Sequence, residues 1–172
     1  WAVLPNVPDI FHCACRAGTV VAHQNLDLLH LSASTPHNDM VSILIKYGFS
    51  HSTYDSNGQT PLSIAAQSGT LQVAQALLNN GADLSQVSAN GMTPLHAAAK
   101  SGRDDVAEFL INAGAQISPQ IAASDESSTI QSKGWTPLHQ AASCNNLDVA
   151  RVLLKHGADP TMAELVDTTG TS

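Results

Sequence analysis

Cysteine and histidine lie close together at two places where they could do chemistry. His139 and Cys144 are five residues apart in "HQAASC", and His12, Cys13 and Cys15 form "HCAC". A cysteine nucleophile needs a base within hydrogen-bond reach and donors for an oxyanion. Five residues along a helix turn His139 away from Cys144, which disfavours catalysis. No second ligand pair follows "HCAC", so a buried or surface thiol is the better interpretation there than a metal site.

Composition and charge exclude several classes of partner. The 172 residues are 43% hydrophobic but only 4% aromatic and 12% charged, and the net charge is −7. The seven Lys and Arg are scattered rather than clustered, which argues against nucleic acid and favours a partner with a neutral or basic surface. No apolar run approaches the ~18 residues of a membrane span, so no membrane insertion is expected. The three cysteines cannot all pair with one another, which indicates a reduced, intracellular and cytoplasmic environment.

The chain repeats itself. "NGQTPLSIAAQSGTLQVAQALLNNGADLS" occupies residues 57–85, and "NGMTPLHAAAKSGRDDVAEFLINAGAQIS" occupies residues 90–118. "GWTPLHQAASCNNLDVARVLLKHGADPT" follows at 134–161, and a degenerate copy, "DLLHLSASTPHNDMVSILIKYGFS", precedes them at 27–50. Thr60, Thr93 and Thr136, the threonines of Thr-Pro in the three clear copies, are 33 and then 43 residues apart. A fixed period of this length predicts a repeat architecture rather than one globular core.

Each copy predicts two short helices. Thr-Pro begins the first helix, because proline already has a helical φ and needs no amide partner in the first turn. Gly69, Gly102 and Asn145 follow it at equivalent positions and are residue types that tolerate a left-handed helix end. The apolar residues predicted to face inward are Leu62, Ala65, Ala66, Leu95, Ala98, Ala99, Leu138, Ala141 and Ala142 on the first helices, and Val73, Leu77, Leu78, Val106, Leu110, Ile111, Val149, Leu153 and Leu154 on the second helices.

These motifs resemble the ankyrin repeat, whose T-P-L-H-x-A signature and 33-residue period are matched in "TPLHAAA" and "TPLHQAA". The resemblance covers Asp27 to Pro160. It implies an all-α repeat solenoid of stacked helix–turn–helix repeats with β-hairpin-like fingers. No unit of such an array buries its own apolar face, so the units are stable only against their neighbours.

The repeat pattern divides the chain into six segments. An insertion of about ten residues separates two of the repeats, and its "SDESS" at 124–128 is either a solvated loop or a phosphorylation site. The segments are 1–25, an N-terminal capping helix or degenerate repeat; 26–57, a degenerate ankyrin-like repeat; 58–90, an ankyrin-like repeat; 91–133, an ankyrin-like repeat with the insertion; 134–166, an ankyrin-like repeat; and 167–172, which resembles the start of a further repeat.

His30, His96 and His139 occupy one repeat position. Equivalent positions of stacked units lie roughly 10 Å apart, the distance between packed helices, and such residues cannot share a zinc ion with bonds of about 2 Å. We therefore interpret them as structural residues that hydrogen-bond the backbone, and we expect no catalytic residue, metal or other cofactor. The carboxylates of "DDVAE" at 104–108 are explained by a helix start, where the dipole favours negative charge.

The resemblance implies that a partner contacts the finger tips and the concave side of the first helices. Two sets of residues that precede Thr-Pro, each set at one equivalent position of successive repeats and here called a column, are predicted to lie on this surface. Trp135 has the profile of an interface anchor, or else packs on the neighbouring finger or insertion; Tyr54 likewise extends the surface or only packs. The columns are Gln59, Met92 and Trp135, and Asn57, Asn90 and Lys133.

The leading hypothesis is a non-catalytic protein–protein interaction module within a larger intracellular protein. A rigid concave surface loses little conformational entropy when a partner docks. The alternative is an intramolecular regulatory domain that controls an enzyme or receptor domain elsewhere in the parent chain. Hydrolase activity through Cys144 and a nearby histidine is a third, disfavoured hypothesis, and no small-molecule substrate is expected.

Overall fold

Four consecutive helix pairs make up the structure, a computed structural model that describes residues 25–36, 38–121 and 134–161. Within these ranges the chain forms eight helices and no strand. Both terminal segments of the predicted division lie outside the described residues except for Asn25, as does the "SDESS" stretch, so those predictions are not tested. The helices are α1 (Asn25–Ala33), α2 (Asn38–Lys46), α3 (Pro61–Ser68), α4 (Leu71–Asn79), α5 (Pro94–Ser101), α6 (Asp104–Asn112), α7 (Pro137–Ser143) and α8 (Leu147–Lys155).

The predicted helix starts and ends are confirmed in three of the four pairs. α3, α5 and α7 each begin at the proline of Thr-Pro, and the preceding threonine is extended. Gly69 and Gly102 adopt φ of 76° and 70° directly after α3 and α5. Asn145 takes the same role after α7, with φ of 58°. A left-handed residue here reverses the chain into the second helix, which is why glycine or asparagine stands at this point.

Stacking of like helices builds the core. α1, α3, α5 and α7 pack in that order, and α2, α4, α6 and α8 form the second layer in the same order. Leu62, Leu95, Val73 and Val106 are almost completely buried within one continuous apolar cluster. Small alanines beside them let neighbouring first helices approach closely, and Ala66 and Ala99 have no exposed surface. Stability therefore comes from contacts between units.

The last pair differs from the predicted burial. Ala142 is exposed, whereas the equivalent Ala99 is fully buried. Leu154 is 49% exposed, whereas the equivalent Ile111 is 9% exposed. The prediction of inward-facing side chains at these two positions is wrong because no further helix pair stacks on α7 and α8 among the described residues. Leu78 and Leu138 are only partly buried, but they pack against the core as expected.

The fingers are hydrogen-bonded turns that connect one pair to the next. In the first finger, residues 50–59, the Asp55 amide donates to the Gln59 carbonyl at 3.0 Å. In the second finger, residues 83–92, the Ser88 amide donates to the Met92 carbonyl at 2.9 Å. One such bond closes a tight reversal without producing strand ladders, so the fingers are hairpin-like in path only.

The third finger has the same hydrogen-bonded base as the second finger. The Ile121 amide donates to the Trp135 carbonyl at 2.9 Å, and the Gly134 amide donates to the Ile121 carbonyl at 3.1 Å. These bonds match those that flank Ala89–Asn90 in the second finger, so residues 122–133 stand where that finger has two residues. Ile121 is itself buried and belongs to the base of the finger. Ile121 and Gly134, the described residues on either side of residues 122–133, are thus hydrogen-bonded to each other.

Candidate functional site

His96 holds its own helix start and the next finger together. Its Nδ1 accepts the Thr93 amide at 3.2 Å and lies 2.8 Å from the Thr93 hydroxyl oxygen. Because a backbone amide only donates, Nδ1 is unprotonated, and the Nε2–H donates to the Trp135 carbonyl at 3.1 Å. Burial lowers the pKa of His96 to about 4, although its bonds to the Trp135 and Pro119 carbonyls act in the opposite direction.

The other two histidines serve the same purpose. His30 Nε2 lies 3.1 Å from the Thr53 carbonyl of the first finger. His139 Nδ1 accepts the Thr136 amide at 3.2 Å, as His96 does at its own helix start. In the second pair Ser63 stands at this position, and its amide donates to Thr60 Oγ1 at 3.2 Å. The structural interpretation of the histidine column is therefore confirmed.

A second column of tethers was missed from the sequence. The residue before each of the last three second helices reaches back to the carboxyl end of the previous unit's first helix. Thr70 Oγ1 donates to Ala33 O at 3.1 Å, Arg103 Nε to Gln67 O at 3.4 Å, and Asn146 Nδ2 to Ala99 O at 2.8 Å. The available signal was that a polar residue follows the left-handed position in every copy, although the three side chains differ in chemistry.

A groove with a volume of about 460 Å³ lies between the first two units. We call it the concave groove, because α1, α3 and the first finger supply its walls. Leu31 is 64% exposed beside it, and Ile64 is half-buried on the next helix. Gln59 and Gln67 are joined across the groove wall by a bond of 3.2 Å between their amides. Its lining includes Leu28, Leu31, Ile64, Asp55, Gln59 and Gln67.

Gln59 is the predicted binding residue that lines this groove. Met92 and Trp135 occupy the equivalent position in the next two fingers, and all three side chains are half-buried. The Met92 and Trp135 carbonyls each accept a backbone amide, from Ser88 and Ile121. The backbone carbonyls of this column are thus hydrogen-bonded within the fingers, while each side chain remains partly accessible to solvent.

The second predicted column lies at the finger tips. Asn57 and Asn90 are exposed, and each stabilises its own turn: the Asn57 amide donates to Asp55 at 2.9 Å, and Asn90 Oδ1 accepts the Ser88 hydroxyl at 2.6 Å. Lys133 lies outside the described residues. Neighbouring tips are joined, because the Ala89 amide donates to the Gly58 carbonyl at 2.7 Å.

Tyr54 is 45% exposed but does not line the concave groove. It corresponds to Val87 of the second finger, which lines a different groove of about 610 Å³ with Pro119 and Gln120. The equivalence assigns Tyr54 to the bases of the fingers rather than to the column of Gln59. Of these predicted binding residues, Gln59 lines the concave groove and Tyr54 does not.

Ion pairs among the described residues lie on the second helices. Lys155 donates to Glu108 at 3.1 Å, which joins α8 to α6, and this bond lowers the Glu108 pKa. His156 Nε2 is 3.8 Å from the same carboxylate, and Arg151 pairs with Asp148 at 3.3 Å within α8. None of the residues in these pairs lines the concave groove.

Cys144 is not arranged for catalysis in the described part of the chain. The thiol is exposed, and its polar neighbours are the Gln140 amide at 3.8 Å and the Ser143 hydroxyl at 3.7 Å. His139 directs Nδ1 to Thr136 instead. A search of residues 25–36, 38–121 and 134–161 finds no group of three potential metal ligands.

None of the helices in the described ranges has the length and apolarity needed to cross a membrane. Comparison with curated proteins gave no significant match. The family model described as ankyrin repeats (3 copies) matches residues 6–88, 29–121 and 84–164. Ankyrin repeats are generally protein–protein interaction modules, and the family is typically non-catalytic. On the stacked helix pairs and this match, the chain belongs to the ankyrin-repeat family.

Proposed function

We propose that this chain is a non-catalytic module that binds a protein partner on the concave surface formed by its fingers and first helices. The observation that supports this proposal is the column of Gln59, Met92 and Trp135, whose side chains are half-exposed at equivalent positions of three fingers. The first two of these fingers are hydrogen-bonded to each other. In this column Trp135 and Met92 are the anchors, because aromatic residues and methionine are enriched in interface cores. Asn57 and Asn90 form the polar rim of the proposed surface, and the repeat pattern extends this role to Lys133 and to the exposed Tyr54.

Rigidity supports the proposal. His96 fixes the Trp135 backbone to the preceding unit, and the Ala89–Gly58 bond aligns two neighbouring tips. A partner then meets side chains whose backbone is already ordered, so association loses less conformational entropy than it would on a flexible loop. His30, His96 and His139 hydrogen-bond the backbone of the array, as a binding scaffold requires.

Charge supports a partner with a neutral or basic contact surface. The net charge of −7 favours encounters with such surfaces over acidic ones. The chain has no basic stripe, and nucleic acid is therefore outside the proposal. The proposed module acts in the cytoplasm on a protein and needs neither a cofactor nor a small-molecule substrate.

The test is capture of partners by the full 172-residue chain, followed by affinity measurements on variants. Trp135→Ala and Met92→Ala should each weaken binding by about tenfold or more if they are interface anchors. Leu147→Ala is the matched control, because Leu147 is 61% exposed on α8, away from the fingers. Unchanged affinity in both finger variants, or an equal loss in the control, would show that the partner does not use this column. Thermal unfolding of each variant separates lost binding from lost folding.

A further inference from the structure

Leu31 is the unusual residue of the concave face. It occupies the same repeat position as Ile64, Ala97 and Gln140, and it is 64% exposed, whereas Ala97 and Gln140 are buried. Its neighbour across the concave groove is Ile64, which is packed against the core on one side. The first two units therefore present two branched apolar side chains to one opening, and exposed apolar surface beside a groove marks an interaction site.

The groove also carries a negative charge. Asp55 lines it, and no lysine or arginine of the described part of the chain does. Asp55 Oδ1 accepts the Gln59 amide at 2.7 Å and the Asn57 amide at 2.9 Å, so the carboxylate is held in place by the turn. Asp55 Oδ2 receives a longer bond of 3.4 Å from the Asn57 side chain and keeps lone-pair capacity for a cationic donor. Partial burial of Asp55 strengthens its attraction for such a donor.

These two features specify the occupant. We propose that the concave groove binds an extended segment of the partner in which an apolar side chain stands beside a lysine or arginine. The apolar side chain contacts Leu31 and Ile64, and the basic side chain pairs with Asp55. Gln59 and Gln67 have amide groups on the wall and hydrogen-bond the segment's backbone. This inference rests on the proposed function and adds the chemistry of the partner.

The test begins with a library of random dodecapeptides displayed on phage and selected on the immobilised full chain. We expect the selected sequences to be enriched in Lys or Arg next to Leu, Ile, Met or Phe. A synthetic peptide of the selected sequence is then titrated against three variants by fluorescence anisotropy. Leu31→Ser should weaken binding by about tenfold, and Asp55→Asn by about fivefold. Leu147→Ser, which removes an equally exposed leucine from α8, should change it less than about twofold.

Salt dependence gives a readout that loss of packing would not produce. Raising the salt concentration screens an ion pair, so the wild-type affinity should fall between about 0.05 M and 0.5 M NaCl. The affinity of Asp55→Asn should fall much less, because asparagine keeps the Oδ1 acceptor of the turn but carries no charge. Circular dichroism of both groove variants should match the wild-type spectrum, since Leu31 is exposed and the Asp55 change is isosteric.

Several outcomes would overturn the inference. Selected peptides that are acidic, or that lack basic residues, would contradict the charge argument. Failure to select any peptide, or equal affinity of Leu31→Ser and wild type, would show that the groove is not a binding site. Peptides that lose affinity with Met92→Ala but not with Leu31→Ser would overturn the groove while leaving the proposed function intact. Failure of the proposed function shows separately, as a captured partner unaffected by Trp135→Ala and Met92→Ala.

Discussion

Acidification below pH 6.5 should destabilise this chain through His96. The ring is completely buried, and its Nδ1 accepts the Thr93 amide at 3.2 Å, a role open only to the neutral imidazole. Burial lowers the pKa of His96 from 6.5 to about 4. Below pH 6.5 the His96 imidazole therefore binds a proton in the unfolded chain but stays neutral in the folded chain.

The sign and size of the effect follow from the two pKa values. Because the folded pKa is the lower one, the free energy of unfolding is greatest above pH 6.5 and decreases as the pH falls towards 4. One pKa unit corresponds to about 1.4 kcal/mol, so the decrease between pH 8 and pH 5 is about 2 kcal/mol. That is a substantial fraction of the about 5–15 kcal/mol that stabilises a typical domain.

Urea unfolding followed by circular dichroism at pH 8, 7, 6 and 5 measures this effect in the wild type and in His96→Gln. The variant loses the bond to the Trp135 carbonyl and is less stable at pH 8. The stability difference between the two proteins should then shrink by about 2 kcal/mol at pH 5, because carboxylate titration is common to both and cancels. His139→Gln is the matched control, since its ring is half-buried at the equivalent position. A difference that stays constant across this pH range would refute the assignment of a neutral, buried His96.

Three further perturbations test the array. Gly102→Val should lower the free energy of unfolding by about 1–3 kcal/mol through strain at φ 70° and a contact of 2.9 Å with the next unit. Gly114→Val, at φ 100° but with open space for an added Cβ, tests the backbone strain alone in the same urea titration, and the contact predicts a loss for Gly102→Val beyond that strain. Ile111→Ala should lower the free energy of unfolding by about 2–5 kcal/mol, whereas Leu154→Ala should lower it by under about 1 kcal/mol. Equal decreases for the two variants would contradict the difference in burial between Ile111 and Leu154. Replacing residues 122–133 by the two-residue tip of the second finger should preserve the unfolding midpoint within a few degrees, because the flanking bonds remain; loss of cooperative unfolding would show that the insertion is packed structure.

Local chemistry explains why the helix boundaries can be predicted from the sequence. Thr-Pro marks the starts of α3, α5 and α7 because proline restricts its own φ and has no amide to satisfy. Gly69 and Gly102 mark the ends because few other residues adopt positive φ without strain. The structural role of His96 was also predictable from the sequence. Histidines that recur at the same position of successive repeats lie one repeat apart in the stack, which is too far for them to bind one metal ion together.

The predictions that were wrong or missing concern relations between units. Ala142 occupies the same repeat position as Ala99, yet Ala142 is exposed and Ala99 is buried, because burial depends on whether a neighbouring helix pair is present. The tethers from Thr70, Arg103 and Asn146 use three unlike side chains, so no shared residue type revealed them. Hydrogen-bond partners that are more than 30 residues away do not show in a local pattern.

The repeat period, the helix boundaries and the absence of a basic stripe are properties of the amino-acid sequence itself, because each depends on residue type and local spacing. The concave groove is a product of tertiary structure alone. Leu31 and Asp55 lie 24 residues apart in the chain and meet only because α1 stacks on α3 and the first finger folds beside them. The proximity of these two residues depends on the distances between stacked units and on the directions of their side chains. Both are set when neighbouring units bury their apolar faces against each other.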